Sequence, residues 1–546
     1  MSPMTRRGFV KGAALAPLAF TPLSAIAQEA AAQQQGTKAP GERFDVVVAG
    51  GGHNSLVCAA YLAKAGYKVI VLEGRPSIGG GCKTAEVCLP GFKEDLCSSV
   101  HSGIQSNPLI RNNELNLRDY GYEFIEPAPV MHYPFLDGAS ITVWRDLDRT
   151  CASIAAVSKK DAETFRRLVP EYKAYMESRA EEGRGAAKNG LWARRNAMSG
   201  YDLVNELYES NYMRAASLAG GHFGGVPGGD PGTGGQAFSM IPQLLEGRPI
   251  PKGGSGMLSV SLRRFIEAHN GVVLTNKPVT ELVIDGGKCV GVHCADGSEY
   301  RADKAVVSTI HMKHIVDMAP RDLWPNEFIQ DVDIWQPEHA MFSFHYAMSE
   351  APKYPLAGGG TISTCEAAIL RRPESVLRMN YDEARGEVNT DDIPLQIVSP
   401  SVPDPTRAPA GHHTVKIEGT LPYALKEGPQ HWDVIKEQVA NNILTYFFRF
   451  APNLGPDKVM AKFLESPIDI ERMNPAMWRG SAHHGSRQVP QLMPYRMPIA
   501  GLYQTGACTA PGGSITGMPG RNAASAMLKD FGTSIEQVVG KTSSKA

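Results

Sequence analysis

An α/β fold is predicted by three observations: a strand, glycine turn, helix and strand near the start of the chain, a second glycine-rich turn directly after it, and a glycine-rich strand-loop-helix near the end. In the first unit, Phe44 to Ala49 (FDVVVA) is a continuous apolar run of the kind buried on both faces of a parallel sheet. Gly50-Gly51-Gly52 follows it, then a helical pattern from Leu56 to Ala65, a turn at Gly66 and a second strand from Lys68 to Glu73. Glycines there let the backbone turn tightly and approach a diphosphate, whose charge is met by the free amides of the helix N-terminus. Ser55 stands where the dinucleotide fingerprint has its third glycine, and it is small enough to keep helix and strand close. Glu73 ends the second strand, twenty-one residues after Gly52, where a carboxylate accepts hydrogen bonds from adenosine ribose hydroxyls.

The second turn is Arg75-Pro76-Ser77-Ile78-Gly79-Gly80-Gly81-Cys82-Lys83-Thr84. It is similar to the R-x-x-x-G-G-x-x-x-T/S segment of FAD enzymes of the glutathione reductase and amine oxidase superfamily. Gly79, Gly80 and Gly81 would let a loop approach the phosphates, and Arg75 can neutralise diphosphate charge. Amphipathic helices are expected at Asp161 to Glu182 and Tyr201 to Arg214, and Gly220 to Gly235 reads as a glycine-dense loop. Strands follow around Val272-Leu274, Thr280-Ile284, Cys289-Cys294 and Ala305-Val307.

At the C-terminal end, Leu502 to Cys508 leads through Pro511-Gly512-Gly513 to Thr516-Gly517-Met518-Pro519-Gly520-Arg521 and a helix. This resembles the closing flavin segment of phytoene desaturase-like and carotenoid isomerase-like FAD oxidoreductases. Pro251-Lys252-Gly253-Gly254-Ser255-Gly256, Asp404-Pro405, Glu465-Ser466-Pro467 and His484-Gly485 carry the resemblance through the middle. It implies FAD as cofactor, Val279 at the adenine, and Gly506, Ile515 and Thr516 at the flavin end. Ala510 departs from it, because many relatives have His before the Pro-Gly-Gly turn.

The resemblance and the three glycine segments together predict a Rossmann-like FAD-binding domain in three pieces, 43–125, 250–325 and 466–546. A discontinuous α+β substrate domain would be made of 126–249 and 326–465. Residues 1–27 read as a twin-arginine export signal: Arg6-Arg7 precede an apolar segment ending in Ala25-Ile26-Ala27, too short and proline-broken to span a bilayer. A linker, 28–42, follows, and the mature chain is expected in the periplasm.

Fifty-five basic residues against 56 acidic ones leave a formal charge of -1, which argues against a nucleic-acid partner. Nine cysteines form no C-x-x-C pair, so no structural metal is expected; an oxidising compartment would allow a disulfide among Cys82, Cys88 and Cys97, while most thiols should be buried and free.

Flavin carries the redox chemistry, so the protein need only bind, orient and tune it. His484 is the candidate acid-base residue, ahead of His101, His345 and His483, and Cys82 or His101 could attach flavin covalently. Met341-Phe342-Ser343-Phe344, Tyr346, Leu444 to Phe448, and Met473 with Met477 and Trp478 would serve either as an apolar tunnel or as core. Three readings follow: oxidation of a small apolar substrate such as a polyene or terpenoid, amine-oxidase-like C–N oxidation, or non-catalytic flavin binding. Oxygen or quinone is preferred to NAD(P) as electron acceptor, since one glycine fingerprint is already taken by FAD. Peripheral membrane contact stays open.

Overall fold

In a computed structural model, residues 43–182, 190–222, 228–481 and 494–540 are described. Arg43–Ala49 pairs in parallel with Val69–Leu72 on one side and Glu299–Ser308 on the other. Val272–Leu274 extends the sheet beyond Val69–Leu72, and Leu502–Gln504 pairs in parallel with the end of Glu299–Ser308. The start of that ten-residue strand instead takes an antiparallel partner, Lys288–Cys294, which carries Val279–Asp285 at the edge. Three stretches far apart in sequence thus meet in one sheet.

Val46 to Ala49 are fully buried because helices His53–Lys64, Met257–Ala268 and Met518–Asp530 cover one face of this sheet. Met312, Ile315, Trp324 and Trp335 cover the other. A Cβ on Gly520 would lie 2.2 Å from the Asn54 carbonyl oxygen, so glycine is what lets the last of these helices cross the first.

A second, mostly antiparallel sheet runs in the order Val459–Glu465, Met341–Met348, His413–Thr420, Leu395–Val398, Glu366–Ile369, Met131–Pro134, Ser140–Val143. Side chains alternate between its faces. Phe342, Phe344, Tyr346, Leu395 and Ile417 pack on helix Trp432–Phe448 and form an apolar core. The cross-strand partners Ser343, Glu418, Gln396 and Glu465 lie on the opposite face with Met341, His345 and Lys416. The phenylalanines of the 341–348 strand and Leu444, Tyr446 and Phe447 are therefore core, with Phe448 packed against it and Thr445 exposed.

The helix expected over Tyr201 to Arg214 is two helices, Gly200–Leu207 and Asn211–His222. The break is held from outside: buried Asp161 accepts the Glu209 and Ser210 amides at 2.9 Å each. An aspartate supplied by another helix replaces the intrahelical partners of those two amides.

Candidate functional site

The two glycine turns dock on one another. The Gly79 amide donates to the Gly51 carbonyl at 2.8 Å, and Gly52 bridges Gly79. Gly50 has φ of 102°, and a Cβ there would sit 2.3 Å from Thr309 Oγ1, so backbone sign and space both demand glycine. Ser55 is fully buried and donates to the Gly50 and Gly52 carbonyls at 2.6 and 2.8 Å, tying the helix to the turn it follows. Glu73 accepts the Gly51 amide at 2.7 Å and the Arg75 amide at 2.8 Å. Each carboxylate oxygen keeps a lone pair for a further donor.

These turns form one wall of a cavity of about 1120 Å³, above the range of a pocket for one small ligand. Gly50, Gly52, Glu73, Arg75, Gly80 and Gly81 line it, as do Val279, Gly506 and Ile515 from the distant segments. Gly51, Gly79 and Thr516 do not reach its surface. Gly51 and Gly79 fix the turns from behind, and the Thr516 carbonyl accepts Asn107 Nδ2 at 2.7 Å. Ile515 precedes the N-terminus of helix Met518–Asp530, whose free amides favour negative charge nearby. His484 lies outside the described residues, as do 1–42.

Lining residues to which the sequence reading gave no role include Lys83, His53 and Asn54. Lys83, inside the second glycine segment, is buried, and burial lowers its pKa while Glu73 opposes the shift. His53 and Asn54 open the helix after the first turn, with His53 Nε2 and Asn54 Oδ1 buried and without a hydrogen-bond partner among the described residues. Burial pushes the His53 imidazole down to about 4, so it is neutral at pH 7.

The other sequence candidates sit in the walls. His101 is fully buried, with Nδ1 2.6 Å from Tyr122 Oη and Nε2 2.8 Å from Ser255 Oγ. Cys82 lies 3.7 Å from that imidazole, and neither residue lines the cavity. All nine cysteines are free. His345 Nε2 is 3.2 Å from Glu465 and 3.0 Å from Ser343, while its Nδ1 lies 3.7 Å from Glu94. Burial pushes Glu94 and Glu465 up to about 8, against the opposing pull of Arg407 and Lys416 on the first and of Lys416, Lys436 and Lys83 on the second.

Both carboxyls hold protons at pH 7, whereas in the unfolded chain they titrate near the ordinary 4.5. Their contribution to stability is complete below that value and is lost as pH rises towards 8. The melting temperature should therefore be lower at pH 9 than at pH 6, and Glu94→Gln with Glu465→Gln should flatten the difference. Equal melting temperatures of the native protein at the two pH values would contradict this account.

The flavin containing amine oxidoreductase family matches residues 56–335, half of the chain. The chain belongs to that family. Membership implies FAD, and the site fits it: glycine backbone on the cavity wall, the Lys83 and Arg75 cations, and two buried polar atoms lacking partners. The protein is similar to pyridine nucleotide-disulfide oxidoreductase domain-containing protein 2 of Rattus norvegicus, 25% identical over 89% of this chain and 94% of the relative. It is similar to a component of the limonene dehydrogenase of Castellaniella defragrans, 26% identical over 90% and 96% of the two chains. Phytoene desaturase of Cereibacter sphaeroides, 22% identical over 87% and 92%, is a more distant relative. Putrescine oxidase bound to putrescine shares the mixed α/β fold, with a TM-score of 0.59 at 13% identity over 90% of this chain and 99% of that one.

Proposed function

We propose that this flavin oxidoreductase dehydrogenates, or otherwise oxidises, a largely apolar substrate, with polyenes and terpenoids as the leading class. The observation that carries the reading is the set of methionines on the cavity wall: Met131, Met318, Met341, Met473 and Met477. Thioethers on flexible chains adapt to an apolar ligand without fixing one shape. Two relatives, named for limonene and phytoene, support the same class. Bound FAD supplies an acceptor for a hydride or for two electrons. The chain's own residues hold the dinucleotide at the glycine turns, balance its charge with Lys83 and Arg75, and screen the site from water with the methionine wall.

C–N oxidation in an aromatic cage is the weaker reading, because no Tyr, Phe or Trp among the described residues lines the cavity. The non-catalytic reading would need a blocked flavin face, and the lining is mostly small residues and flexible methionines. Oxygen or quinone remains the preferred acceptor, and His484 the candidate acid-base residue.

Anaerobic mixing of the oxidised holoenzyme with isoprenoids, amines and hydroxy compounds should bleach the flavin with an isoprenoid. Bleaching by amines alone would reject the reading in favour of C–N oxidation. If His484 moves a proton, His484→Ala should slow bleaching by about 10²–10⁴-fold with FAD retained.

We also place the mature protein in the periplasm. Exchanging Arg6 and Arg7 for lysine keeps the charge and removes the receptor-read signal, so export should stop. Unchanged export by the twin-arginine route would remove that assignment.

A further inference from the structure

The polar face of the second sheet lines the same cavity as the glycine turns. Glu366 accepts Arg248 through Nε and, at 2.9 Å, through Nη2, and it also accepts Gln396 Nε2. Gln396 stands beside Glu418 across the strand pair, and Glu418 Oε2 takes the Lys416 ammonium at 2.7 Å. Arg248, Gln396 and Glu418 all line the cavity, whereas Glu366 and Lys416 sit behind them. A core strand has no need of this pattern, since polar side chains at such positions cost desolvation unless they are paired.

Two properties of the cluster identify what it suits. Its charges cancel, Arg248 against Glu366 and Lys416 against Glu418. A carboxylate or ammonium arriving there would add a net charge to a buried cluster whose own charges already balance, and that charge would have no counter-charge of its own. The pairs also use only part of each group: Arg248 Nη1, Gln396 Oε1 and Glu418 Oε1 stand outside them. A hydroxyl needs one donor and one acceptor from such a site, because it accepts one hydrogen bond and donates another: Arg248 Nη1 supplies the donor, and either Gln396 Oε1 or Glu418 Oε1 the acceptor. The methionines supply apolar lining to the same cavity.

We propose that Arg248, Gln396 and Glu418 form a subsite for a neutral hydroxyl, so that the substrate is an apolar chain with an alcohol at the end remote from the bond oxidised. This deepens the reading of an apolar substrate and rests on it. The subsite sets orientation: with the alcohol anchored on the second sheet, the other part of the chain is presented to the flavin side of the cavity.

The test is binding to the oxidised FAD holoenzyme, read by perturbation of the flavin spectrum under conditions that need no turnover. The probes carry geranyl, farnesyl and geranylgeranyl chains, each as the alcohol, the methyl ether, the carboxylate, the primary amine and the hydrocarbon. For at least one chain length the alcohol should bind about tenfold or more tightly than its hydrocarbon and both charged forms, with the ether in between because it has lost the donor. Gln396→Leu and, separately, Glu418→Gln, made together with Lys416→Met so that no buried ammonium is left unpaired, should narrow the gap between alcohol and hydrocarbon severalfold while leaving hydrocarbon affinity and FAD content unchanged. Met131→Leu serves as the lining control and should keep the preference. Equal affinity of alcohol and hydrocarbon, tightest binding by the carboxylate or amine, or no binding of any alcohol would overturn the subsite. The two readings fail separately: bleaching by a hydrocarbon without alcohol preference removes the subsite and leaves the oxidation. Alcohol preference that both variants erase, with no bleaching by any isoprenoid, does the reverse.

Discussion

Gly52→Leu is expected to yield a folded protein without flavin. Gly52 caps the helix His53–Lys64 at φ −67° and ψ 158°, a conformation open to any residue, and a Cβ there meets no atom nearer than Thr309 Oγ1 at 4.0 Å. The fold has room for the side chain only because the cavity does, and that space is where the phosphates of a bound dinucleotide would approach the amides of the turn. Losing two hydrogen bonds to a charged group, at about 1.5–3 kcal/mol each, weakens FAD binding by about 10²–10⁴-fold. Gly50→Val makes the contrast. With φ of 102° and Thr309 Oγ1 2.3 Å from the new Cβ, it should damage folding as well as binding. Flavin absorbance per chain and thermal melting separate the two outcomes. A yellow Gly52→Leu protein with stoichiometric FAD would refute the placement of the diphosphate at this turn.

The reason these glycines could be read from the sequence is that their job is local. A tight turn between a buried strand and a helix needs residues at fixed short spacing, and Gly50 to Glu73 spans the whole unit. Lys83 was hidden in plain view, since its value comes from burial beside Glu73 and Arg75, which only the docking of the two turns creates. The strand Met341–Met348 carried a signal that was missed. Met, Ser and His alternate there with Phe, Phe and Tyr, a period-two pattern that separates a polar face from an apolar one and decides between the tunnel and core readings that aromatic content alone left open. His345 could not be placed at all from sequence, because its neighbours Glu94 and Glu465 come from segments hundreds of residues apart. Tyr208 to Ser210 looks helical by pattern and is broken by Asp161, a partner that no local rule supplies.

Arg407→Met is expected to cost about 3–5 kcal/mol of stability, because it would strip a buried carboxylate of its counter-charge. Two stretches that the sequence marked without a role meet here. The Gly253 amide donates to Asp404 at 2.7 Å, and Arg407, three residues on, pairs with Asp95 at 2.9 Å with both side chains buried. Arg407 also donates twice to the Lys93 carbonyl, at 3.0 and 2.8 Å, so it fixes the backbone beside its own partner. The same Asp95 oxygen accepts Thr84 Oγ1 at 2.7 Å and the Ser255 amide at 2.9 Å, which joins the second glycine segment to the entry of helix Met257–Ala268. Removing the guanidinium leaves Asp95 charged among neutral donors, and the segment that carries Lys83 and Thr84 loses its anchor. Asp95→Asn, introduced into Arg407→Met, should recover part of the loss, because an amide has no charge to compensate. Denaturant midpoints of the two variants measure that recovery. If Arg407→Met melts with the native protein, the pair contributes nothing. If the double variant is no better than the single one, the loss comes from the Lys93 hydrogen bonds rather than from the buried charge, since only the charge is repaired by Asp95→Asn.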